Sequence, residues 1–332
     1  MPETPDPSFI NRKRLVRTQF EPDPRLGVAP EKRPVDALLK LGVVVLDKPA
    51  GPTSHQVAAW ARDMLGIPRA GHGGTLDPGV TGVLPITLDS ATKAVGALLY
   101  ASKEYICYMK LHRDVREEKL RSVLSDFESE IFQVPPVRSA VKRQQRSRRI
   151  YSLKVLEVSG RDVLFKTSCQ AGTYIRTLCT DVGEVLGVGA HMQELRRVRT
   201  ARFTEKDAVT LHDLKDAHVF WKEDGDEKPI RVAIRPMEAL LSHLPAVSIR
   251  DGAVDAVCHG ARLAVPGLVA IDSGIARGDR VAVFSAKGEG VALGKAELTS
   301  EEMLELNQGV AVTTERILMP TGTYPKGWKT KE

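Results

Sequence analysis

The chain has 332 residues, of which 42% are hydrophobic and 27% charged, so it can bury cores large enough for two domains and wholesale disorder is excluded. No run approaches the roughly 18 apolar residues of a membrane span, and the N-terminus MPETPDPSFINRKR lacks the apolar core of a secretory signal. Lys plus Arg exceed Asp plus Glu by 48 to 42, a net charge of +6 that suits a polyanionic partner without demanding one.

Residues 1–40 hold seven prolines, too many for helices or central strands, and are expected to form an extended arm lying on the C-terminal module. LGVVVLDKP follows, with Val43–Leu46 as a short buried strand stopped at Pro49. Ser54 then caps a helix through Leu65, with Val57, Trp60, Ala61, Met64 and Leu65 on one face. Gly71–Gly82 reads as a glycine-rich loop, Leu84–Leu88 as a strand, Thr92–Leu99 as a short helix, Tyr105–Leu111 as a strand and Glu117–Phe127 as a helix. Tyr151–Val158 and Asp162–Ser168 form an expected hairpin turning at Gly160-Arg161, and Tyr174–Leu186 a helix. Strands and helices do not alternate strictly. The fold class is therefore α+β, with a mixed, largely antiparallel sheet.

A polar, turn-rich stretch at Trp221–Pro229 marks a boundary. Beyond Leu244 short strands recur at Leu268–Ile271, Arg280–Phe284, Val291–Leu298 and Val310–Met319. One helix with Thr299 and Glu302 in capping-box spacing interrupts them. This predicts a small β-barrel-like module. The expected division is an arm at 1–40, a larger α+β domain at 41–235, the β-module at 244–320 and a basic tail at 321–332.

Positive charge is uneven. Arg138, Lys142, Arg143, Arg146, Arg148 and Arg149 stand together without an acid, and Gln193–Lys206 holds five basic residues against two acids. Leu244–Pro320 is net −3, although Arg250, Arg262, Arg280 and Lys287 could share one basic face. A dense cationic block repels itself unless a phosphate partner is present, so Arg138–Arg149 reads as a phosphate-binding segment rather than a merely solvated loop.

Three further segments could carry chemistry. GHGGTLDPGVTG, Gly71–Gly82, brings one imidazole, one carboxylate and five glycines into twelve residues. Pro78 keeps Asp77 out of helical geometry, so Asp77 is presented from a rigid turn. The same residues also fit a plain Asx-Pro turn. Neither a P-loop nor a dinucleotide fingerprint is present. In CQAGTYIRTL, Tyr174 and Arg176 emerge together where a helix begins and could meet a carboxylate. In SKEYICY, Tyr105 could stack on a base or simply fill a core. No Ser-His-Asp elbow, HExxH or kinase signature occurs. His112, His218 and His243 read as structural. Cys107, Cys169, Cys179 and Cys258 have no CxxC or zinc-finger spacing, so reduced thiols and no structural metal are expected.

Taken together, VVVLDKPAGPTSHQV, GHGGTLDPGVTG, KEYICY, VPPVRSAVKR, AGTYIRTL and GVGAHMQELRRVRT resemble the TruB family of pseudouridine synthases, in order and over nearly the whole chain. Within that family the resemblance is to the archaeal dyskerin-like catalytic subunits of box H/ACA ribonucleoproteins. IARGDRVAVF and KGEGVALGKAELTSEEM resemble a PUA RNA-binding domain. The resemblance implies isomerisation of uridine to pseudouridine in rRNA, and in the tRNA T-loop without a guide, with no cofactor and no metal. It implies Asp77 as the catalytic carboxylate, which either attacks C1′ or assists elimination through a glycal. Arg176 would hold that carboxylate charged, and Tyr174 would contact the base. Tyr105 would stack on it, His72 would hold the flipped nucleotide, Leu195 would wall the pocket and Lys48 would support the loop. Lys142, Arg143, Arg146, Arg148 and Arg149 would bind RNA. Implied partners are an H/ACA guide RNA, substrate RNAs and three small proteins: a zinc-ribbon type, a β-barrel and a kink-turn binder. No membrane is implied, and the location is cytoplasmic. Two positions depart from the pattern. Gly73 replaces a usual Ser or Thr, and Gly79 replaces a frequent Lys, removing a phosphate contact.

Two other readings compete. A non-catalytic RNA-binding scaffold would have no need of Asp77, Tyr105, Tyr174 and Arg176 together. A stand-alone tRNA enzyme differs only in the length of the basic block.

Overall fold

Strand pairing sorts the described residues into two curled sheets, one of ten strands and one of seven. The computed structural model describes residue 6, residues 10–135 and residues 142–326. In chain order the elements are β1 (Arg14–Val16), α1 (Val35–Leu41), β2 (Gly42–Lys48), α2 (Ser54–Leu65), β3 (Ala70–His72), β4 (Thr81–Leu88), α3 (Gly96–Leu99), β5 (Lys103–Leu111), α4 (Glu117–Asp126), β6 (Glu130–Gln133), β7 (Arg146–Ser159), β8 (Asp162–Cys169), α5 (Ile175–Leu186), β9 (Ala190–Thr200) and β10 (Phe203–Thr204). They continue with α6 (Leu211–Val219), α7 (Glu227–Ala233), β11 (Ile234–Pro236), β12 (Ala246–Ile249), α8 (Asp251–Cys258), β13 (Leu263–Ala264), β14 (Leu268–Asp272), β15 (Arg280–Ser285), β16 (Gly290–Ala296), α9 (Ser300–Glu305) and β17 (Val310–Ile317).

The larger sheet runs β11-β2-β4-β9-β5-β8-β7-β6, with β3 on β4 and β10 on β9. Its strands pair antiparallel except β4 with β9, which touch in parallel at Thr81↔Arg196 and Gly82↔Arg197. That short parallel contact joins two lobes. At Gly82, φ is +101° and a Cβ would lie 2.2 Å from the Arg197 carbonyl oxygen, so only glycine lets the strands approach there.

The apolar run of β2 does not alternate because both its faces are covered. Val44 and Leu46 join Val57, Ala61 and Leu65 of α2 in one core. Val43 and Val45 face a second core, shared with Met237, Leu240, Ala282 and Leu293, that joins the two sheets. Helix α2 begins one residue earlier than expected, because Thr53 closes a capping box with Gln56. Trp60 leaves the expected apolar face and is 44% exposed. The β7–β8 hairpin turns at Gly160, in the left-handed region at φ +59°.

The polar stretch at Trp221–Pro229 is not a boundary. Phe220–Asp224 winds on from α6 as a wide π-helical turn, α7 follows, and β11 returns to pair with β2. Trp221 packs on the core beneath α2. The chain leaves the larger sheet only after Pro236.

The smaller sheet runs β1-β14-β12-β15-β16-β17-β13 around its own apolar core, with α8 and α9 packed against it. The proline-rich arm supplies its edge. β1 pairs antiparallel with β14, and the Arg17 guanidinium donates to the carbonyls of Met303, Leu304 and Leu306. One helix does form within residues 1–40. Pro34 stands just before α1, where its fixed φ suits a helix start and its missing N–H is not needed.

His243 sits between the two halves, 6% exposed, with Nε2 donating to the Ala97 carbonyl and Nδ1 buried without a partner. Burial lowers its pKa from 6.5 to about 4. The unfolded chain therefore binds a proton first, and stability falls as pH drops from about 6.5 to 4. Up to about 3 kcal/mol is expected to be lost over that window. Thermal midpoints between pH 7 and 4.5 should fall more steeply for the native chain than for His243→Gln.

Candidate active site

The segment Gly74–Val80 is held by its own backbone. The Gly74 carbonyl accepts from Arg197 (3.1 Å) and the Leu76 carbonyl from Ser54 Oγ (3.0 Å), which accepts in turn from the Leu76 N–H. The Pro78 carbonyl accepts from Lys48 Nζ (3.0 Å) and from the Gly51 N–H (2.9 Å). Lys48 Nζ also donates to the carbonyls of Pro49 and Val80, both at 2.9 Å. Lys48 is fully buried, with no carboxylate among these partners, and burial lowers its pKa. Its three N–H donors are all used, which offsets the cost of burying a charge. Lys48 thus ties the loop down from behind.

Asp77 is the exposed point of this loop. Its carboxylate pairs with the Arg176 guanidinium, and both side chains are about half exposed, at 54% and 48%. Such a pair contributes only about 0–1 kcal/mol to stability, so its value lies in orientation. Arg176 stands in the first turn of α5, whose position is fixed one residue before the helix: Gln133 donates to the Tyr174 carbonyl (3.0 Å) and accepts from the Tyr174 N–H (2.9 Å). Gln133, from β6, is a support that sequence alone did not single out.

Asp77, Pro78, Gly79, Val80, Arg176, Met192, Gln193, Glu194 and Leu195 line a cleft of about 480 Å³. The structure thus brings together Asp77, Arg176 and Leu195, with Lys48 behind them, while Tyr174 sits just before α5 and is not among the residues lining the cleft. Tyr105 lies opposite Arg197 in the β5–β9 register, half-buried near that guanidinium, with its pKa raised by burial. His72 falls elsewhere. It ends β3 and lines a second groove of about 350 Å³ with His55, Ala59 and Arg62. Its ring stands edge-on to His55, with centroids 4.7 Å apart. Burial, then His55 and Arg197, lower its pKa to about 4, so the imidazole is neutral at pH 7.

Arg197 is the main residue the sequence hid. It is 1% exposed, donates to the Val83 and Gly74 carbonyls, and touches Tyr105. Arg199 is equally buried and bonds Ser102, Ala201, Ser168 and Asp6. Arg196 pairs with Asp47 and Glu205. Within the basic cluster at 193–206, Arg197 and Arg199 are therefore internal scaffolding, whereas Arg202 and Lys206 are exposed.

The other basic block is not a single loop. Arg138 lies outside the described residues. Lys142 and Arg143 are exposed, whereas Arg146, Arg148 and Arg149 are half-buried in β7, paired with β6. The Arg148 guanidinium lies against Gly172, in the turn leading to Tyr174. A Cβ at Gly73 would fall 2.6 Å from the Leu98 side chain, which accounts physically for glycine there. Gly73→Ser should cost about 1–3 kcal/mol in thermal unfolding, and clearly less in a Leu98→Gly background, because alanine would keep the Cβ that the new side chain meets. Nothing lies within 4 Å of a Cβ at Gly79, so that departure has no packing cause.

All four cysteines are buried and free, with Cys107 and Cys179 Sγ 3.6 Å apart. Among the described residues no group of three or more His, Cys, Asp or Glu could hold a metal ion, and no helix is long and apolar enough to cross a membrane.

Known proteins match along the whole chain. The profile of the TruB family pseudouridylate synthase N-terminal domain matches residues 62–118 and 110–175. That of the tRNA pseudouridylate synthase B C-terminal domain matches 176–242, the PUA domain 245–318 and the DKCLD domain 10–58. A Methanopyrus kandleri protein described as "Probable tRNA pseudouridine synthase B" is 57% identical, over 97% of this chain and 95% of its own. A Pyrococcus furiosus protein of the same description is 53% identical, over 98% and 96%. A solved Cbf5-Nop10-Gar1 complex contains a chain 54% identical, with TM-score 0.92, covering 96% of this chain and 98% of that one. A solved H/ACA RNP bound to a substrate RNA containing 2′-deoxyuridine contains one 52% identical, with TM-score 0.90, covering 97% and 99%.

Proposed function

This chain belongs to the TruB family of pseudouridylate synthases, and from that premise we propose that it is the RNA-isomerising catalytic subunit of an H/ACA-type ribonucleoprotein, with Asp77 as its nucleophile. The observation that carries the reading is the Asp77–Arg176 pair on a loop whose carbonyls are tied down by Lys48, Ser54 and Arg197. Such tethering is the preorganisation an enzyme needs and a scaffold does not.

Isomerisation breaks the C1′–N1 bond, turns the uracil and joins C5 to C1′, releasing the C5 proton. Asp77 supplies the carboxylate at C1′. When RNA covers the cleft, an isolated carboxylate would tend to protonate. The Arg176 guanidinium counters this by favouring the ionised form. Leu195 walls the cleft, and Tyr105 and Tyr174 receive the base once it has left its stack, a step costing a few kcal/mol. Lys142, Arg143, Arg146, Arg148 and Arg149 grip the RNA backbone.

Partners of the kind found in the similar assemblies are proposed here: guide RNA, substrate RNA, small proteins of the Nop10 and Gar1 kind, and a kink-turn-binding protein. The substrates are rRNA and, without a guide, the tRNA T-loop uridine. The proposed location is the cytoplasm. Nucleoside analysis of a T-arm RNA treated with the chain alone, and of a guided target treated with the full assembly, tests this reading. Pseudouridine in the guided target supports it. Unmodified uridine in both, with RNA bound, favours the inactive scaffold.

A further inference from the structure

Beside the Asp77–Arg176 pair, three side chains form a hydrogen-bonded relay that the reaction as described does not use. His112, just past the end of β5, has Nε2 2.9 Å from His191 Nδ1. His191, near the start of β9, has Nε2 3.1 Å from Gln193 Oε1. Gln193 lines the cleft. The imidazole rings stand 5.1 Å apart, tilted by 38°. His112 is held in turn. Its backbone N–H donates to the Gly189 carbonyl and its own carbonyl accepts from Arg161. A Cβ at Gly189 would lie 2.7 Å from His112 Nδ1, so glycine makes room for this ring.

With the Gln193 amide oxygen toward His191, the proton placement follows. Gln193 Oε1 can only accept, so His191 Nε2 carries the hydrogen. A neutral His191 then has a bare Nδ1, which accepts from His112 Nε2–H. The relay runs His112 to His191 to Gln193, and it ends by engaging the amide oxygen. The Gln193 NH₂ group is thereby left unengaged by the relay, as a neutral double donor on a residue that lines the cleft with Asp77 and Glu194.

We propose that Gln193, oriented by His191 and His112, is a specificity-determining residue whose amide N–H groups bind an oxygen acceptor of the RNA strand beside the target uridine. The inference rests on the proposed pseudouridine synthase reading and names a contact within that site. His191 and His112 are positioning residues. They act only by denying Gln193 the flipped orientation, in which its oxygen would face the RNA and repel an acceptor.

The test is Gln193→Glu, which keeps shape and replaces the donors by oxygen, read beside the neutral Gln193→Met, which removes the donors without adding a charge. The same weakening in both supports the contact. Weakening in Gln193→Glu alone would be charge repulsion and would overturn it. In the guided assembly, KM for substrate RNA should rise about tenfold while kcat stays within about twofold. His191→Phe, which frees the amide to flip, should raise KM about threefold. Adding it to Gln193→Glu should change little further, because the relay has nothing left to orient. Thermal midpoints should match the native chain, separating positioning from folding. Affinity for the same RNA, read by filter binding, should fall by the same factor for Gln193→Glu. This arm needs no turnover, so an inactive native enzyme would refute the synthase reading while the contact was still decided. Neutral methylphosphonate linkages beside the target locate the acceptor. The native-to-variant gap narrows if it is a phosphodiester and persists if it is a base carbonyl. Gln193→Glu with unchanged KM and affinity would overturn the proposal.

Discussion

Asp77→Asn is expected to lower pseudouridine formation by on the order of a thousandfold or more, while the chain stays folded and keeps its RNA. The amide is isosteric, so the loop keeps its shape, but it is neither a nucleophile nor a base. Stability should change by no more than about 1 kcal/mol, because the pair with Arg176 is half exposed on both sides. RNA affinity should stay level or improve slightly, since one negative charge leaves a polyanion-binding cleft. Single-turnover rates with filter-binding constants for the same RNA check both halves. Turnover above about a tenth of native would remove Asp77 from the chemistry.

Lys48→Met is expected to damage stability and rate together. Methionine fills nearly the same volume but leaves the carbonyls of Pro49, Pro78 and Val80 without their shared donor. The Pro78 carbonyl keeps the Gly51 N–H and Pro49 is exposed, so the Val80 carbonyl is the one left buried and unsatisfied, at about 1–3 kcal/mol. A total of about 2 kcal/mol, or a fall of roughly 3–8 °C in thermal midpoint, is expected. Freed of its ties, the loop lets Asp77 wander. A misplacement on the order of 1 Å costs about a hundredfold in rate. Measured well below the melting range at saturating RNA, kcat should therefore fall far more than the folded fraction does. Lys48→Arg should not rescue it, because a planar guanidinium cannot converge on three carbonyls as an ammonium does. Full activity in Lys48→Met would mean that the loop is rigid without its anchor.

Much of this was legible in the chain. Val43–Leu46 announced a doubly covered strand, Gly160-Arg161 a hairpin, and Thr299 with Glu302 a capped helix, because each depends on local chemistry. Asp77 and Arg176 stood out for the same reason: a proline and several glycines leave a carboxylate few conformations, and a guanidinium at a helix start has few partners. What stayed hidden is non-local. Charge reads as surface, yet Arg197 and Arg199 are core, the first held by carbonyls from β4 and the loop before it, the second by Ser102, Ala201, Ser168 and Asp6. The basic block around Arg146 read as a loop because its β7 residues carry no apolar alternation, and their pairing with β6 depends on chain up to 19 residues away. The polar Trp221–Pro229 stretch read as a boundary because its closing strand, β11, pairs with β2 at the opposite end of the domain. His72 matched a loop motif, but only the fold shows that it faces His55 in a separate groove.

The most direct measurement is tritium release from uridine-5-³H target RNA by the chain assembled with a matching guide RNA and partner proteins. Isomerisation at C5 predicts one tritium released per target uridine, lost when the guide no longer pairs with the target. Bound, correctly paired RNA that keeps all its tritium would contradict the account and leave an RNA-binding scaffold.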